Sequence, residues 1–84
     1  MRYAVFILRR AQKELAELPS EVYQQAKEVI WSLGEEPRPP GCRKLTGREG
    51  WRIRIRDYRI IYEIDDAGKV VTVLDIGHRR DIYR

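Results

Sequence analysis

Residues 51–56 alternate strictly between large apolar side chains and arginines, and this pattern constrains the fold more than any other feature of the chain. The apolar members are Trp51, Ile53 and Ile55, and the basic members are Arg52, Arg54 and Arg56. A period of two is that of a β-strand, in which successive side chains point to opposite faces of a sheet. The segment therefore predicts a strand with one apolar face and one face of guanidinium groups.

Two further strands are predicted after this segment. Residues 58–64 and 70–76 are rich in β-branched and aromatic side chains, and residues 65–68 between them have the Asp and Gly chemistry of a turn. Asp57 makes the turn that precedes them, and Gly77 is predicted to end the last strand, leaving a short polar tail. The three strands are expected to form an antiparallel meander.

The first part of the chain predicts a strand and a helical hairpin. Residues 3–8 are apolar and rich in β-branched and aromatic side chains, which indicates a short strand. Apolar residues then recur at helical spacing over residues 11–18, until Pro19 ends the first helix. The same spacing returns over residues 22–33, where Ser20 is the predicted N-terminal cap of a second helix.

Residues 35–50 are rich in proline and glycine, which predicts a connector with little regular structure. The apolar face of the meander must be covered, and the two amphipathic helices can cover it. We therefore predict an α+β fold in which a strand, a helical hairpin and a three-stranded antiparallel meander follow in order, with the helices on one face. Trp31 and Trp51 are assigned to the core or to contacts between helices and sheet. At this length, residues 1–84 are expected to form a single domain.

The excess of positive charge is confined to the second half of the chain. Up to Cys42 six bases face six acids, whereas from Arg43 onward eleven bases face seven acids. Thirteen of the seventeen bases are arginine, the side chain best suited to bidentate contacts with phosphate. We therefore expect a polyanionic partner on the face that the helices leave open.

Several kinds of site and location are excluded by composition. One cysteine, Cys42, and one histidine, His78, can form neither an internal disulfide nor a structural zinc site, so no metal or cofactor is expected. The longest apolar run, residues 3–8, is far shorter than the roughly 20 residues of a membrane helix and lacks the cleavage site of an export signal. We expect a cytoplasmic protein with no membrane contact.

The alternating arginines suit a nucleic acid backbone. Arg52 and Arg54 project to the same side of their strand about 7 Å apart, close to the spacing of successive phosphates. Arg59 on the next strand and Arg79 after the last are predicted to join them on one concave surface. The alternative is that alternating arginines are only the solvent-exposed face of a half-buried strand. The concentration of arginine across three elements favours the binding surface.

Three other polar residues carry two interpretations each. His78 is either a general acid or base or a turn residue after Gly77. Tyr83 either stacks on a base and donates its phenolic proton, or packs its ring over the edge of the sheet. Glu63 is either a base or the partner of a cross-strand arginine. Cys42, in a loop with no histidine near it in sequence, is taken as incidental.

The sequence resembles the RelE/ParE superfamily of bacterial and archaeal toxins, and its RelE branch in particular. The resemblance is carried by residues 51–64 (WRIRIRDYRIIYEI), residues 70–79 (VVTVLDIGHR) and the closing residues 81–83 (DIY). It covers nearly the whole chain, since the strand, the helical hairpin, the connector and residues 45–47 also match in order and length.

The resemblance implies the toxin of a type II toxin-antitoxin system. Such a toxin is a small metal-independent endoribonuclease that enters the A site of the 30S ribosomal subunit and cuts messenger RNA. A RelB-like antitoxin would hold it inactive, in a complex expected to be a heterotetramer. An apolar patch on the sheet edge or helices is implied for the antitoxin, although no apolar side chain in the sequence is visibly surplus to the core.

The resemblance also implies a set of site residues. The positions that match the active site of the family are Arg52, Arg54, Arg59, Arg79 and Tyr83. The further bases assigned to RNA contacts are Lys44, Arg56 and Arg80. Some family members carry lysine at the first two positions, and arginine cannot accept a proton as a lysine of lowered pKa can. The general base is therefore left open between His78, Glu63, Tyr83 and the ribosome, and a reaction that depends mainly on charge stabilisation and orientation is the further alternative.

Two alternatives to the ribonuclease remain at this point. A ParE-like toxin would inhibit DNA gyrase by contact and use no catalytic residues of its own. Arg79 and Tyr83 after the last strand favour the RelE branch over this alternative. A degenerate member of the family would act only as an antitoxin-bound regulator of its own operon, and the intact basic residues argue against it.

Overall fold

The structure is a computed structural model that describes residues 2–78, so Arg79, Arg80 and Tyr83 lie outside it. In chain order the elements are β1 (Ala4–Ile7), α1 (Arg9–Ala16), α2 (Ser20–Ser32), β2 (Arg43–Lys44), β3 (Trp51–Ile55), β4 (Tyr58–Asp65) and β5 (Val70–His78). The strands form one five-stranded sheet in the order β1-β5-β4-β3-β2. The predicted α+β architecture, with its N-terminal strand, helical hairpin and meander, is confirmed.

The sheet is mixed, whereas the sequence predicted an antiparallel one. β1 lies parallel to β5, with Ala4 opposite Val70, and the other pairs of neighbouring strands are antiparallel. Parallel neighbours cannot be joined by a tight turn. Here both helices and three strands lie between them in sequence, so the N-terminal strand closes one edge of the sheet only when the last strand is in place.

The core lies between the helices and one face of the sheet. The buried members from the helical part are small or aliphatic, namely Ala11, Val22, Ala26, Ile30 and Leu33. Those from the sheet are Ile53, Ile55, Ile60, Tyr62, Val71, Val73 and Ile76. In β3 and β4 the core residues follow the period of two, so the remaining side chains of these strands lie on the other face, here called the open face.

Two assignments within the helical region are wrong. Pro19, with ψ of 147°, occupies the N-cap position of α2, and Ser20 is the first helical residue with no side-chain cap. Proline fixes a φ compatible with this entry into the helix, so the turn forms without the serine hydroxyl. Trp31 is 57% exposed and lies outside the core, whereas Trp51 packs against the core as predicted.

The connector before β3 is more ordered than the sequence indicated. It contains β2, whose residue Arg43 lies opposite Arg52 of β3. The hairpin between these strands is closed by a hydrogen bond of 3.0 Å from the Leu45 N–H to the Gly50 carbonyl. Tyr62 anchors the earlier part of the connector through a buried hydrogen bond of 2.8 Å from its hydroxyl to the Pro37 carbonyl, and burial raises its pKa. The connector is therefore held against the sheet.

The last strand extends further than predicted. β5 continues through Gly77 to His78, which pairs with Tyr58, so the prediction that Gly77 ends the strand is wrong. Strand pairing depends on backbone groups, and the backbone of Gly77 pairs opposite Arg59 although it carries no side chain. His78 therefore belongs to the sheet and not to a polar tail.

A β-bulge in β5 is held by α1. Ile61 lies opposite Asp75 whereas Tyr62 lies opposite Val73, which leaves Leu74 as the extra residue. The Glu14 carboxylate accepts a hydrogen bond of 3.0 Å from the Ile76 N–H. Arg10 of α1 donates to the Leu74 carbonyl and forms an ion pair with Asp75. Side chains of α1 thus satisfy backbone groups that the bulge removes from regular pairing.

A polar cluster ties distant parts of the chain together. The Asp66 carboxylate accepts hydrogen bonds from the Tyr3 hydroxyl at 2.7 Å and from the Arg38 guanidinium at 2.8 Å. These contacts, that of Arg38 foremost, lower the pKa of Asp66 to about 2. The Arg38 guanidinium also lies over the Trp51 ring, 5.1 Å from its centroid. The N-terminal segment, the connector and the β4–β5 turn therefore meet at one carboxylate, and Arg38 links this cluster to β3.

Candidate functional site

The register of β2, β3 and β4 places arginines directly opposite one another. Arg43 lies opposite Arg52, and Arg54 lies opposite Arg59. Cross-strand partners share a face, and Arg52 and Arg54 share one by alternation, so all four lie on the open face. Like charges directly opposite destabilise a sheet. Two such pairs side by side form a surface that an anion would stabilise.

These arginines line a shallow groove of about 880 Å³, here called the arginine groove. Its lining residues are Pro40, Gly41, Arg43, Arg52, Ile53, Arg54, Arg56, Asp57 and Arg59. Five of these nine are arginine, so the groove is suited to phosphate and not to an apolar or cationic ligand.

A second cavity of about 650 Å³ adjoins the first and is here called the loop groove. It is lined by Arg43, Lys44, Leu45, Thr46, Arg48, Arg52 and Ile61. Arg43 and Arg52 line both cavities, so the two grooves are continuous across this pair. The loop groove is formed by the hairpin between β2 and β3, and Lys44 contributes to it.

Arg59 lies on the predicted face, but it is buried and not exposed as expected. Its relative exposure is 8%, and one terminal nitrogen donates a hydrogen bond of 3.4 Å to the Tyr58 carbonyl. Its Nε is buried without a hydrogen-bond partner among residues 2–78. The residue lies in an inner strand with a paired strand on each side. A buried cation with an unsatisfied donor is costly unless an anion reaches it.

Arg54 and Arg56 are exposed at the end of the β3–β4 hairpin. The Nε of Arg54 donates a hydrogen bond of 3.0 Å to the Arg56 carbonyl, which orients the Arg54 side chain. Arg56 occupies the turn with φ of 54°, a left-handed conformation uncommon for a residue with a side chain. Its guanidinium forms an ion pair of 3.1 Å with Glu21 of α2. Arg56 is thus shared between the arginine groove and a helix.

The two candidate acid or base residues do not lie in the arginine groove. Glu63 is on the open face, four residues along β4 from Arg59, or about 13 Å at the rise of a strand. It lies opposite Thr72 and forms no ion pair with another residue of the described range, so no arginine among residues 2–78 pairs with it. His78 packs edge-on to Tyr58, with ring centroids 5.5 Å apart, on the face opposite that of Arg59.

Sequence reasoning missed two basic residues of the loop groove. Arg43 and Arg48 were counted in the charge of the second half but received no role, because the connector was expected to lack regular structure. The sequence signal for this hairpin is the short segment that ends at Gly50, five residues after Leu45 and directly before β3. A hydrogen bond between Leu45 and Gly50 closes the hairpin. Gly50 has φ of 125°, and a Cβ there would lie 3.2 Å from the Tyr62 carbonyl, so this turn requires glycine.

The opposite end of the open face is apolar. Phe6 of β1 is 58% exposed and Leu8 is 39% exposed. Both alternate with Val5 and Ile7, which pack against the core, so they lie on the open face. Within residues 2–78, β1 is an edge strand that pairs with β5 alone. The interpretation that no apolar side chain is surplus to the core is therefore wrong.

Residues 2–78 contain neither a cluster of metal-ligating side chains nor a helix that could span a membrane. No three His, Cys, Asp or Glu side chains of this range are placed to share a metal ion. Neither helix has the length and apolar character required to cross a membrane.

Comparisons with known proteins agree on one family. Residues 5–83 match the family described as the ParE toxin of the type II toxin-antitoxin system parDE. The chain is 34% identical to Toxin RelG of Mycobacterium tuberculosis, over 100% of this chain and 99% of that protein. It is 34% identical to the mRNA interferase toxin RelE of Escherichia coli, over 94% of this chain and 85% of that protein. The archaeal RelE-RelB complex of Pyrococcus horikoshii has a similar fold, with a TM-score of 0.84, 32% identity and coverage of 96% and 99%.

Proposed function

The chain belongs to the RelE/ParE toxin superfamily and is RelE-like, and from this premise we propose how its arginine groove acts. The protein is the toxin of a type II toxin-antitoxin system and an mRNA interferase. The observation that carries the proposal is the pair of cross-strand arginine rows on the open face, Arg43 with Arg52 and Arg54 with Arg59. They form a concentrated cationic site beside a solvent-accessible groove.

The groove suits the chemistry of strand scission by an internal nucleophile. The ribose 2′-oxygen loses its proton and bonds to the adjacent phosphorus, while the bond from phosphorus to the 5′-oxygen breaks and that oxygen takes up a proton. The products are a 2′,3′-cyclic phosphate and a 5′-hydroxyl. The pentavalent centre carries extra negative charge, which preorganised guanidinium groups stabilise more than they stabilise the substrate.

Arg59 is the best placed of the described residues to act on this centre. It is fixed by burial, and its Nε has no partner within residues 2–78. Arg52 and Arg54 lie beside it and bind the phosphates along the strand. Because the reaction begins with a 2′-hydroxyl, RNA is cleaved and DNA is not.

Proton transfer and orientation fall to other groups. Tyr83 stacks on a base and holds the attacking oxygen in line, and Arg79 adds a further guanidinium. Both follow the described residues in sequence. Glu63 is about 13 Å from Arg59 and His78 is on the other face, so neither serves as the base in this arrangement. Tyr83 and the ribosome remain as the groups that can supply it.

We propose that the reaction needs no metal ion and takes place on messenger RNA in the 30S A site, within the cytoplasm. Primer extension on a defined messenger in a reconstituted translation system tests this. Wild type should cut within codons only when ribosomes are present. Arg79→Ala should lose activity by orders of magnitude with its fold intact. Matched Lys13→Gln, which removes one exposed charge on α1, should cut like wild type.

The requirement for metal needs a separate reaction, because ribosomes themselves require magnesium. Stalled ribosome complexes with a bound messenger are formed first, and magnesium is then replaced by cobalt hexammine, which has no exchangeable water. Cutting at an unchanged rate is the expected result. Loss of cutting by a complex that remains assembled, as judged by sedimentation, would contradict metal independence.

We propose a RelB-like antitoxin as the partner of the apolar end of the open face. Phe6 is exposed there on the edge strand and Leu8 directly after it, and exposed apolar side chains at a sheet edge are normally covered. The chain carries a net charge of +4, which favours an acidic partner. The toxin and antitoxin are proposed to assemble as a heterotetramer, which light scattering of the co-expressed complex would test.

Inhibition of gyrase is the weaker alternative. The relatives that span nearly the whole chain carry RelE-type names, and one of them is an mRNA interferase. A gyrase supercoiling assay run beside the primer extension separates the two activities. Inhibited gyrase with an intact messenger would contradict the ribonuclease function.

A further inference from the structure

The loop groove extends past Arg52, away from the other described positions assigned to cleavage. It shares the Arg43–Arg52 pair with the arginine groove and extends from this pair to Lys44 and Arg48. Arg54 and Arg59 form the next row, on the other side of the pair. A strand whose reacting phosphate contacts Arg59 therefore has continuous cationic surface in one direction along β3.

The loop groove also has an apolar floor. Ile61 is only 2% exposed, yet it lies on the open face opposite Arg52 and outside the main core. Leu45 is half-buried beside it, and Thr46 adds a hydroxyl at the rim. Cationic side chains above an apolar floor suit a nucleotide, whose phosphate is anionic and whose sugar and base have apolar faces.

Three basic side chains of this groove are not paired with an acidic side chain in the described part of the chain. Arg43, Lys44 and Arg48 form no ion pair with another residue of the range 2–78, and all three are exposed. Arg43 lies opposite a second arginine, which weakens the sheet. A purely structural residue at this position would not need a positive charge.

We propose that the loop groove is a second nucleotide subsite, in which Arg43 and Arg48 bind the phosphate of a nucleotide flanking the cleavage position on the same RNA strand. The proposal rests on the proposed function for the identity of that strand. Arg43 is a positioning residue here, because it acts on the strand and not on the reacting atoms. Its contact sets the register of the strand relative to Arg59.

Binding of short RNA to the purified chain tests the subsite without ribosomes. The probes are a fluorescent dinucleotide and a fluorescent tetranucleotide, both with 2′-O-methyl riboses that prevent cleavage, measured by anisotropy at low salt. Arg48→Gln, whose residue lines only the loop groove, should weaken tetranucleotide binding about fivefold to tenfold and leave dinucleotide binding unchanged. Arg43→Gln, whose residue lines both grooves, should weaken tetranucleotide binding by a similar factor and dinucleotide binding by less. For Arg43→Gln, the slope of log affinity for the tetranucleotide against log salt concentration should be less steep by about 0.7. This is the change expected when one phosphate contact on a single strand is lost.

Two controls separate this role from bulk charge and from folding. Lys13→Gln makes the same change in net charge on α1 and should bind both probes like wild type. The melting temperature of Arg43→Gln should equal or exceed that of wild type, because the substitution removes a like-charge pair.

The outcomes distinguish the subsite from the function on which it rests. Equal binding of the tetranucleotide by wild type and Arg43→Gln, or no binding by wild type, would overturn the subsite even if messenger RNA is cut on ribosomes. A defect of Arg43→Gln on ribosomes alone would assign the contact to ribosomal RNA and overturn it as well. Selective loss of tetranucleotide binding supports the subsite whether or not the ribosome assay shows cleavage.

Discussion

The two ends of the open face differ in chemistry although they belong to one sheet. At the β3 end, Arg52 and Arg54 face arginines on the neighbouring strands. At the β1 end, Phe6 and Leu8 are exposed and apolar. The first arrangement raises the electrostatic free energy of the folded chain, and the second exposes apolar area to water. Different chemistry would stabilise each end, an anion at one and an apolar surface at the other.

The difference means that contacts with an anion and contacts with an apolar partner would come from separate parts of the sheet. The cationic end is held rigidly, since Arg59 is buried and Arg54 is hydrogen-bonded to the β3–β4 turn. The apolar end lies at an edge strand, β1, which has a neighbouring strand on one side only among residues 2–78, and edge strands can pair with another chain. Substitutions that affect one end and spare the other therefore test whether the two functions are separable.

The largest effect is expected from a change at the cationic end. Arg54→Gln should lower the rate of ribosome-dependent cleavage by about 100-fold or more, because it removes a fixed donor to the phosphates that hold the strand in place beside Arg59. Its melting temperature should stay near that of wild type, since the side chain is exposed. Phe6→Ser is the matched change at the other end and should cut at the wild-type rate. Comparable loss in both variants would show that the ends are not separable.

The apolar end should determine affinity for the antitoxin. Phe6→Ser should weaken the complex with the antitoxin by about 30-fold, the effect of losing a central aromatic contact of roughly 2 kcal/mol. Titration calorimetry with the purified antitoxin measures this. Arg54→Gln serves as the control and should retain most of its affinity. A Phe6→Ser variant that binds as tightly as wild type would place the antitoxin on another surface.

Replacing Arg59, in the cationic end, should raise the stability of the fold and abolish cleavage. Arg59→Met replaces a buried guanidinium by an apolar side chain of similar length and should raise the melting temperature by about 5 °C, equivalent to roughly 1 kcal/mol. The same variant should lose cleavage. Thermal unfolding followed by circular dichroism, beside the cleavage assay, measures both. A lower melting temperature would mean that the guanidinium is satisfied in the folded chain.

The smallest effect on stability is expected at Asp66, whose carboxylate links the segment before β1 to the connector before β3. Its pKa is lowered to about 2 by Arg38 and Tyr3, so the carboxylate stabilises the folded chain above the pKa of the unfolded chain, near 3.8. This contribution is lost as the pH falls from about 4 toward 2. Asp66→Asn should therefore melt slightly below wild type at pH 6, and the difference should disappear near pH 2. A constant difference over this range would exclude ionisation as its source.

Much of the fold was predictable because its signals are local. The alternation over residues 51–56 gave β3, and the helical spacing of apolar residues gave both helices. The parallel pairing of β1 with β5 was not predictable in this way, because nothing in residues 3–8 indicates which strand lies beside them. The extension of β5 to His78 was missed because a glycine suggests a strand end, whereas pairing depends on the backbone of its neighbour.

The candidate site was predictable in composition but not in arrangement. Arg52 and Arg54 were placed on one face by period alone, and the structure agrees. Burial of Arg59 depends on strands on both sides of it, which sequence does not reveal. Arg43 was overlooked because its strand has only two residues and is defined by its pairing with β3. Roles that depend on register between strands therefore required the structure.

The pairing of the first strand with the last has a consequence for how the protein is made. Residues 4–7 emerge early from the ribosome but must wait for residues 70–73 before their edge of the sheet can form. Contacts this distant in sequence slow folding and are absent from any fragment that stops before residue 70. The segment that is made first therefore remains without its strand partner until the last strand has been synthesised, so no shorter N-terminal fragment can form this edge of the sheet.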